Sequence, residues 1–157
     1  MIDHPISSVH FLFNQAEING DKSAFSYKDN QIWNDISWNT YRGDVHKAAG
    51  SLISIGCNSG DKVCILGFNN YNWVTMDMAA MMTGAIPAGI YETCSAEEIS
   101  YILNHSEAKV LLIEDTEQWQ KINEIRNDLK FLEKVILMEG CDEITDDLVI
   151  DWKSFMN

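Results

Sequence analysis

The side chains that could act as nucleophiles or hold a metal ion are scattered along this chain of 157 residues. No two cysteines form a CxxC pair, and no HExxH sequence or Cys/His pair has the spacing of metal ligands. We therefore predict no catalytic residue and no metal site, and we interpret the cysteines as reduced thiols of a cytosolic protein. The cysteines are Cys57, Cys64, Cys94 and Cys141, and the histidines are His4, His10, His46 and His105.

Four loops follow short apolar runs, and such loops are where parallel sheets bind ligands. The loop at residues 67–70 has one glycine where a dinucleotide-binding turn has three, and it lacks the lysine of a phosphate-binding loop. Asn69 or Asn70 is more simply interpreted as the cap of the helix that follows. The other three loops are residues 91–94, 114–115 and 139–140.

The elements that position these loops follow a strand–helix alternation, which predicts an α/β fold with a mainly parallel, doubly wound sheet. A β-hairpin and an amphipathic helix over residues 38–55 precede the sheet; the buried stripe of that helix includes Leu52, with Ile53 beside it. Pro87 places its strand at an edge or makes its end irregular. The predicted hairpin strands are Ser23–Tyr27 and Gln31–Ser37, and the sheet strands lie near residues 62–67, 86–90, 109–113 and 134–138.

Helix boundaries are indicated by capping residues and glycines. A helix over residues 71–83 ends at Gly84, and Ser95 to Glu98 form a capping box for the next helix. A further helix is predicted over residues 115–130, and a last short helix over residues 149–156.

The charge of the chain excludes several classes of partner. Its 24 acidic and 11 basic residues give a formal net charge of −13. Without a basic stripe, nucleic-acid binding has no electrostatic source, and anionic membrane surfaces repel the chain. No apolar stretch approaches the ~20 residues of a membrane span, and the N-terminus lacks the basic region of a signal peptide, so we expect a cytoplasmic protein.

Several motifs, taken in their order, resemble the N-terminal part of adenylate-forming enzymes. Within that superfamily the chain is most similar to long-chain fatty acyl-CoA synthetases of the bubblegum type. The resemblance implies a partial N-terminal domain of the adenylate-forming fold at residues 21–157, and the mixed apolar and polar residues before it are interpreted as an arm or helix at residues 1–20. The motifs that carry it are Gly60–Leu66, Asn69–Trp73, Ala79–Ile86 and Gly89–Thr93, with further matches at Ile36–Tyr41, Ala48–Leu52, Tyr101–Val110 and Trp152–Met156.

The resemblance implies that a complete member uses ATP, Mg²⁺ and coenzyme A to convert a fatty acid into an acyl-adenylate and then an acyl-CoA. The Ser/Thr/Gly-rich phosphate loop of the family has no counterpart in this sequence, so no catalytic residue can be transferred and we expect no cofactor bound by this chain alone. Gly89, Tyr91 and Thr93, with Ile90 between them, match a family segment near the acyl and CoA region. They are weak candidates for ligand contact, and packing is the alternative.

Two functions remain open at this stage. In the first, the chain is the N-terminal portion of a long-chain fatty acid–CoA ligase, inactive alone and bound to the remainder of the synthetase; a full-length relative could also associate peripherally with a membrane. In the second, it is a free-standing, non-catalytic relative that serves as a structural or binding subunit of a larger protein assembly. A small independent enzyme has no site to support it.

Overall fold

The computed structural model describes residues 7–29 and 31–157, and it has the predicted α/β architecture. A five-stranded parallel sheet has the order β4-β3-β5-β6-β7, and a separate antiparallel hairpin pairs β1 with β2. The helices are α1 (Ser8–Asn19), α2 (Trp38–Ser54), α3 (Tyr71–Thr83), α4 (Ala96–Ser106), α5 (Thr116–Ile125) and α6 (Trp152–Phe155). The strands are β1 (Ser23–Asp29), β2 (Ile32–Ser37), β3 (Lys62–Leu66), β4 (Ile86–Ile90), β5 (Ala108–Ile113), β6 (Lys134–Leu137) and β7 (Val149–Asp151).

The hairpin and α2 form as the sequence predicts, with one correction. The buried face of α2 includes Leu52, and the ring of Tyr41 on that face meets Phe25 of β1 edge-on at 4.8 Å. Ile53, however, which the sequence places beside that stripe, is 62% exposed and does not extend the buried face. Neighbouring helical residues point about 100° apart, and this step carries Ile53 past the edge of the stripe.

The core lies on both faces of the parallel sheet, because successive side chains of a strand point to opposite faces. Ile65 and Leu112 pack under α2 and α3, whereas Leu66 and Leu111 pack on the other face with side chains of α4 and α5. All four side chains are fully buried. Helices therefore cover both faces, which confirms the doubly wound arrangement.

The edge position of Pro87 is also confirmed, since β4 pairs only with β3 among the strands that the structure describes. α3 ends at Gly84, which adopts the left-handed conformation at φ +79°, as the sequence indicates. Within residues 7–29 and 31–157, no helix combines the length and apolar character needed to cross a bilayer.

Two predicted helices near the C-terminus are wrong in part. Residues 149–156 form β7 followed by α6, because the β-branched Val149 and Ile150 pair in parallel with β6 and Asp151 then caps the short helix. α5 ends at Ile125 and does not reach Lys130. The side chain of Asn104 contacts the backbone oxygen of Asp128 and the backbone nitrogen of Lys130, and these hydrogen bonds hold the chain in a turn.

Candidate functional site

The order in which successive strands are added to the sheet reverses between β3 and β5, and the carboxyl ends of these two strands lie at that point. From β3 the chain passes to β4 on one side, and it then returns to place β5 on the other side. In doubly wound sheets, ligands bind in the crevice between two such strands. The loops that meet there are residues 67–70 and 114–115.

Glu114 fills this crevice. Its Oε2 accepts a hydrogen bond of 2.8 Å from the backbone N–H of Phe68. Gly67, at φ +152°, allows the close approach, since a Cβ at that position would lie 2.6 Å from the Cβ of Glu114. A carboxylate of the protein thus takes the backbone donor that a bound anion would need.

The N-terminus of α3 is capped by a side chain of the protein. The side chain of Asn70 accepts a hydrogen bond from the backbone N–H of Trp73 at 2.9 Å. Asn70 is therefore the helix cap, whereas the sequence allowed either Asn69 or Asn70. With one donor held by Asn70, another by Glu114, and a negative charge in the crevice, the described residues do not fit the triphosphate of ATP.

A second concave region lies beside the crevice, between α3 and the loop after β4. We call it the Gly89 cleft; its volume is about 430 Å³. Its floor is the indole of Trp73, since a Cβ on Gly89 would lie only 3.1 Å from Cζ2 of that ring. The lining residues are Gly67, Phe68, Asn69, Trp73, Gly89, Ile90, Tyr91 and Glu92.

The structure brings together some of the residues that the resemblance singled out. Gly89 and Tyr91 both line the Gly89 cleft, and Tyr91 is 79% exposed. Ile90 is 3% exposed and packs in the core on the opposite face. Thr93 is exposed and is not among the lining residues. Ligand contact by Gly89, Tyr91 and Thr93 stays a prediction.

Helix α5 holds the loop at residues 91–94, a feature that the sequence analysis missed. The ammonium group of Lys121 donates to the carbonyl oxygens of Glu92 at 2.8 Å and Cys94 at 3.2 Å. Gln118, one turn earlier and 4% exposed, donates from Nε2 to the same Glu92 carbonyl at 3.4 Å. The only signal for this was the presence of two polar residues beside the apolar stripe of α5.

A third concave region, about 320 Å³ in volume, lies on the other side of Glu114 and is acidic. Its carboxylates come from Glu114, Asp115, Glu139 and Asp142. Within residues 7–29 and 31–157, no three Asp, Glu, His or Cys side chains converge in a way that could hold a metal ion.

Thiols and phenols that are buried or half-buried in the described part of the chain are poor nucleophiles. Burial raises the pKa of the Cys57, Cys64 and Cys141 thiols above the ordinary value, which disfavours the reactive thiolate. Burial also raises the pKa of Tyr41 to about 12. Burial and the Asp44 carboxylate, which accepts from the Tyr71 hydroxyl at 2.8 Å, raise the pKa of Tyr71.

Comparison with known protein families matches residues 12–154 to the model described as AMP-binding enzyme. The chain belongs to this family. The long-chain-fatty-acid–CoA ligase ACSBG2 of Xenopus laevis is 33% identical over 156 residues, a match that covers 97% of this chain and 21% of that protein. The long-chain-fatty-acid–CoA ligase ACSBG1 of Rattus norvegicus is 32% identical over 133 residues, covering 84% of this chain and 18% of the relative. The chain therefore spans about a fifth of the length of these curated relatives.

Solved structures of two CoA ligases share the fold. The anthranilate CoA ligase AuaEII, in complex with anthranoyl-AMP, superposes with a TM-score of 0.86 at 22% identity, covering 98% of this chain and 29% of that chain. A putative long-chain-fatty-acid CoA ligase from Rhodopseudomonas palustris superposes with a TM-score of 0.81 at 18% identity, covering 97% and 36%. The expected adenylate-forming architecture is confirmed by these two likenesses.

Proposed function

We propose that the chain forms the N-terminal portion of a long-chain fatty acid–CoA ligase and does not carry out catalysis by itself. The observation that supports this most directly is the 33% identity to a ligase of this specificity across 97% of the chain. The complete ligase would convert a fatty acid, ATP and coenzyme A into an acyl-CoA by way of an acyl-adenylate, with Mg²⁺ as the metal ion.

The role of this portion is structural support for a site that other residues complete. Glu114 and Asn70 occupy donors at the sheet crevice, and the sequence contains no Ser/Thr-rich Gly-x-x-Gly-x-x-Lys segment. Stabilisation of charge on the transferring group is usually the largest catalytic contribution, and these residues offer no group for it. Gly89, Tyr91 and Thr93 are proposed as contacts to the acyl or CoA group of the complete ligase.

We propose residues 21–157 as the partial N-terminal domain and residues 1–20 as an N-terminal arm or helix, of which α1 (Ser8–Asn19) docks on that domain. Leu12 and Ala16 of α1 are buried, and Leu12 belongs to the same apolar cluster as Val45 of α2. The part of this segment at residues 1–6 lies outside the described residues. A cytoplasmic location is proposed for the ligase, with peripheral membrane association open to the complete protein.

The alternative is a free-standing, non-catalytic subunit of a protein assembly. The carboxylate of Glu114 in the ligand crevice favours it, because a subunit without nucleotide chemistry has no need of open donors there. Sequencing the transcript beyond Asn157 separates the two: a reading frame that continues into a Ser/Thr/Gly-rich loop supports the ligase, and a stop codon supports the subunit.

The proposal has a direct biochemical test. We expect no pyrophosphate release above a boiled control when the chain is incubated with ATP and palmitate. A hybrid in which this chain replaces the matching segment of Xenopus ACSBG2 should form palmitoyl-CoA, whereas the same ligase with the segment deleted should not. Pyrophosphate release by the chain alone, or a folded hybrid without activity, would contradict the proposal.

A further inference from the structure

The loop after β4 is held in place by two side chains of α5. The loop is a β-turn, in which the Cys94 N–H donates to the Tyr91 carbonyl at 3.0 Å. The carbonyl of Glu92, in the centre of the turn, accepts from Lys121 at 2.8 Å and from Gln118 at 3.4 Å. Lys121 also donates to the Cys94 carbonyl at 3.2 Å. We call Lys121 and Gln118 the α5 clamp.

The other side of the same loop lines the Gly89 cleft. Tyr91 and Glu92 are lining residues, and Tyr91 is 79% exposed. A Cβ on Gly89 would point at Trp73 of α3, whereas the side chain of Ile90 packs on the opposite face of the sheet with side chains of α4 and α5. No residue of α5 is among the lining residues. The α5 clamp therefore acts on the cleft only through the loop.

The clamp also fixes the direction of an exposed hydrogen-bond donor. The described residues contain no cis peptide bond, and the C=O and N–H of a trans peptide point in opposite directions. Because the carbonyl of Glu92 points at α5, the N–H of Thr93 points away from α5. Thr93 is exposed, and no described backbone carbonyl accepts from its N–H. The clamp thus orients two groups that a ligand can reach, the Thr93 N–H and the Tyr91 ring.

The buried amide of Gln118 lowers stability, which argues against a purely structural role. The side chain is 4% exposed, and its Oε1 has no hydrogen-bond partner among the described residues. A buried acceptor without a partner carries its full desolvation penalty, which an apolar side chain of the same length would avoid. Among the described residues, the Gln118 side chain bonds only to Glu92. Its contribution is therefore the position of Glu92.

We propose that Lys121 and Gln118 are positioning residues of the complete ligase: through the loop after β4 they set its affinity for the organic substrate that contacts the Gly89 cleft. This inference rests on the proposed function, in which Tyr91 and Thr93 contact the acyl or CoA group. Without the clamp the turn is free to move, and each binding event must first order it, which weakens binding. The substrate is recognised by its apolar groups, which a fatty acid and coenzyme A both carry, and the kinetic experiment distinguishes between the two.

Steady-state kinetics of the Xenopus hybrid test the proposal. We expect Lys121→Met to raise the KM of palmitate, of coenzyme A or of both about tenfold, and to leave kcat and the KM of ATP within about twofold. The substrate whose KM rises is the one that contacts the cleft. Lys121→Arg keeps the donors and should restore most of the affinity. The proposal is overturned if neither KM rises, if the KM of ATP rises equally, or if kcat falls instead.

Gln118→Met separates positioning from stability. It removes the donor and the unpaired Oε1 but keeps the length of the side chain. We expect the KM that responds to Lys121→Met to rise about threefold, while the melting temperature stays equal or rises because a buried unpaired acceptor is lost. Ile122→Val, at a fully buried position of α5, is the matched control, since it lowers the melting temperature without touching the loop. A KM that rises in both variants, or in neither, contradicts the proposal.

The isolated chain separates failure of this inference from failure of the proposed function. A folded hybrid that forms no palmitoyl-CoA rejects the function, and the hold of the clamp is then judged by amide exchange in the isolated chain. The Cys94 amide should exchange faster in Lys121→Met and in Gln118→Met than in Ile122→Val, because the turn that it closes has lost its attachment. Equal exchange in the three variants rejects the inference. An active hybrid whose KM values do not respond to the clamp rejects the inference alone.

Discussion

Lys121 is the residue whose replacement should most clearly loosen the candidate site without disturbing the core. Its ammonium group joins α5 to the loop after β4 through the carbonyls of Glu92 and Cys94. Lys121→Met keeps the length and apolar stem of the side chain and removes the donors. The loop should then lose most of its attachment to α5, because the hydrogen bond from Gln118 to Glu92 is the long one at 3.4 Å.

The size of the effect follows from the bonds lost. A hydrogen bond that involves a charged group contributes about 1.5–3 kcal/mol, and half-burial of Lys121 places each bond at or below the lower end of that range. We expect the free energy of unfolding to fall by about 2 kcal/mol. For a chain of this length, that loss lowers the melting temperature by about 4–8 °C.

The assay combines urea denaturation with hydrogen exchange. The amide of Cys94, which donates to Tyr91 within the loop, should exchange faster in Lys121→Met, and Lys121→Arg should restore part of the protection. Lys47→Met, on the exposed side of α2, is the matched control. The reasoning is refuted if Lys121→Met unfolds within about 0.5 kcal/mol of the control and leaves the exchange of Cys94 unchanged.

Three other predictions follow from the structure. Gly84→Ala should destabilise the chain by about 1 kcal/mol in thermal denaturation, because φ is +79° and a Cβ would lie 2.7 Å from Oγ of Ser59. Gly43→Ala, at a position inside α2 with open space around it, should stabilise the chain, and the opposite order of the two variants would contradict this prediction. The backbone N–H of Asn58 and then Lys109 hold the pKa of Asp61 below its ordinary value, so Asp61→Asn should lower the urea midpoint at pH 7. The difference between the two proteins should vanish as pH falls through the folded-state pKa of Asp61, and a difference that persists at pH 2 counts against this prediction. The isolated chain should bind a dye specific for apolar surface. A compact monomer that binds no such dye and melts in one cooperative step would refute this prediction.

The elements that the sequence predicts best are those with local causes. The capping box of α4 forms as expected, with Ser95 and Glu98 bonding reciprocally. The end of α3 at Gly84 is likewise a property of neighbouring residues. Such signals lie within one helical turn, so they can be recognised before the fold is known.

The features that define the candidate site depend instead on distant contacts. Glu114 reaches Phe68 across 46 residues of sequence, and Lys121 reaches Glu92 across 29. Both are side chains that bond to backbone groups of another loop, and no residue spacing encodes such pairs. The early end of α5 has the same origin, since Asn104 of α4 binds the turn that follows it.

Glu114 divides the carboxyl end of the sheet into two regions with different chemistry. On the β4 side the Gly89 cleft is lined by Trp73, Tyr91 and Phe68, while on the β6 side carboxylates dominate. Repulsion by these carboxylates makes the β6 side a poor place for a triphosphate. The residues that line the Gly89 cleft on the β4 side offer apolar contact, and none of them is a cation. In the proposed ligase, this chain would therefore contribute binding surface, and the positive charges that stabilise the adenylation step would come from residues outside it.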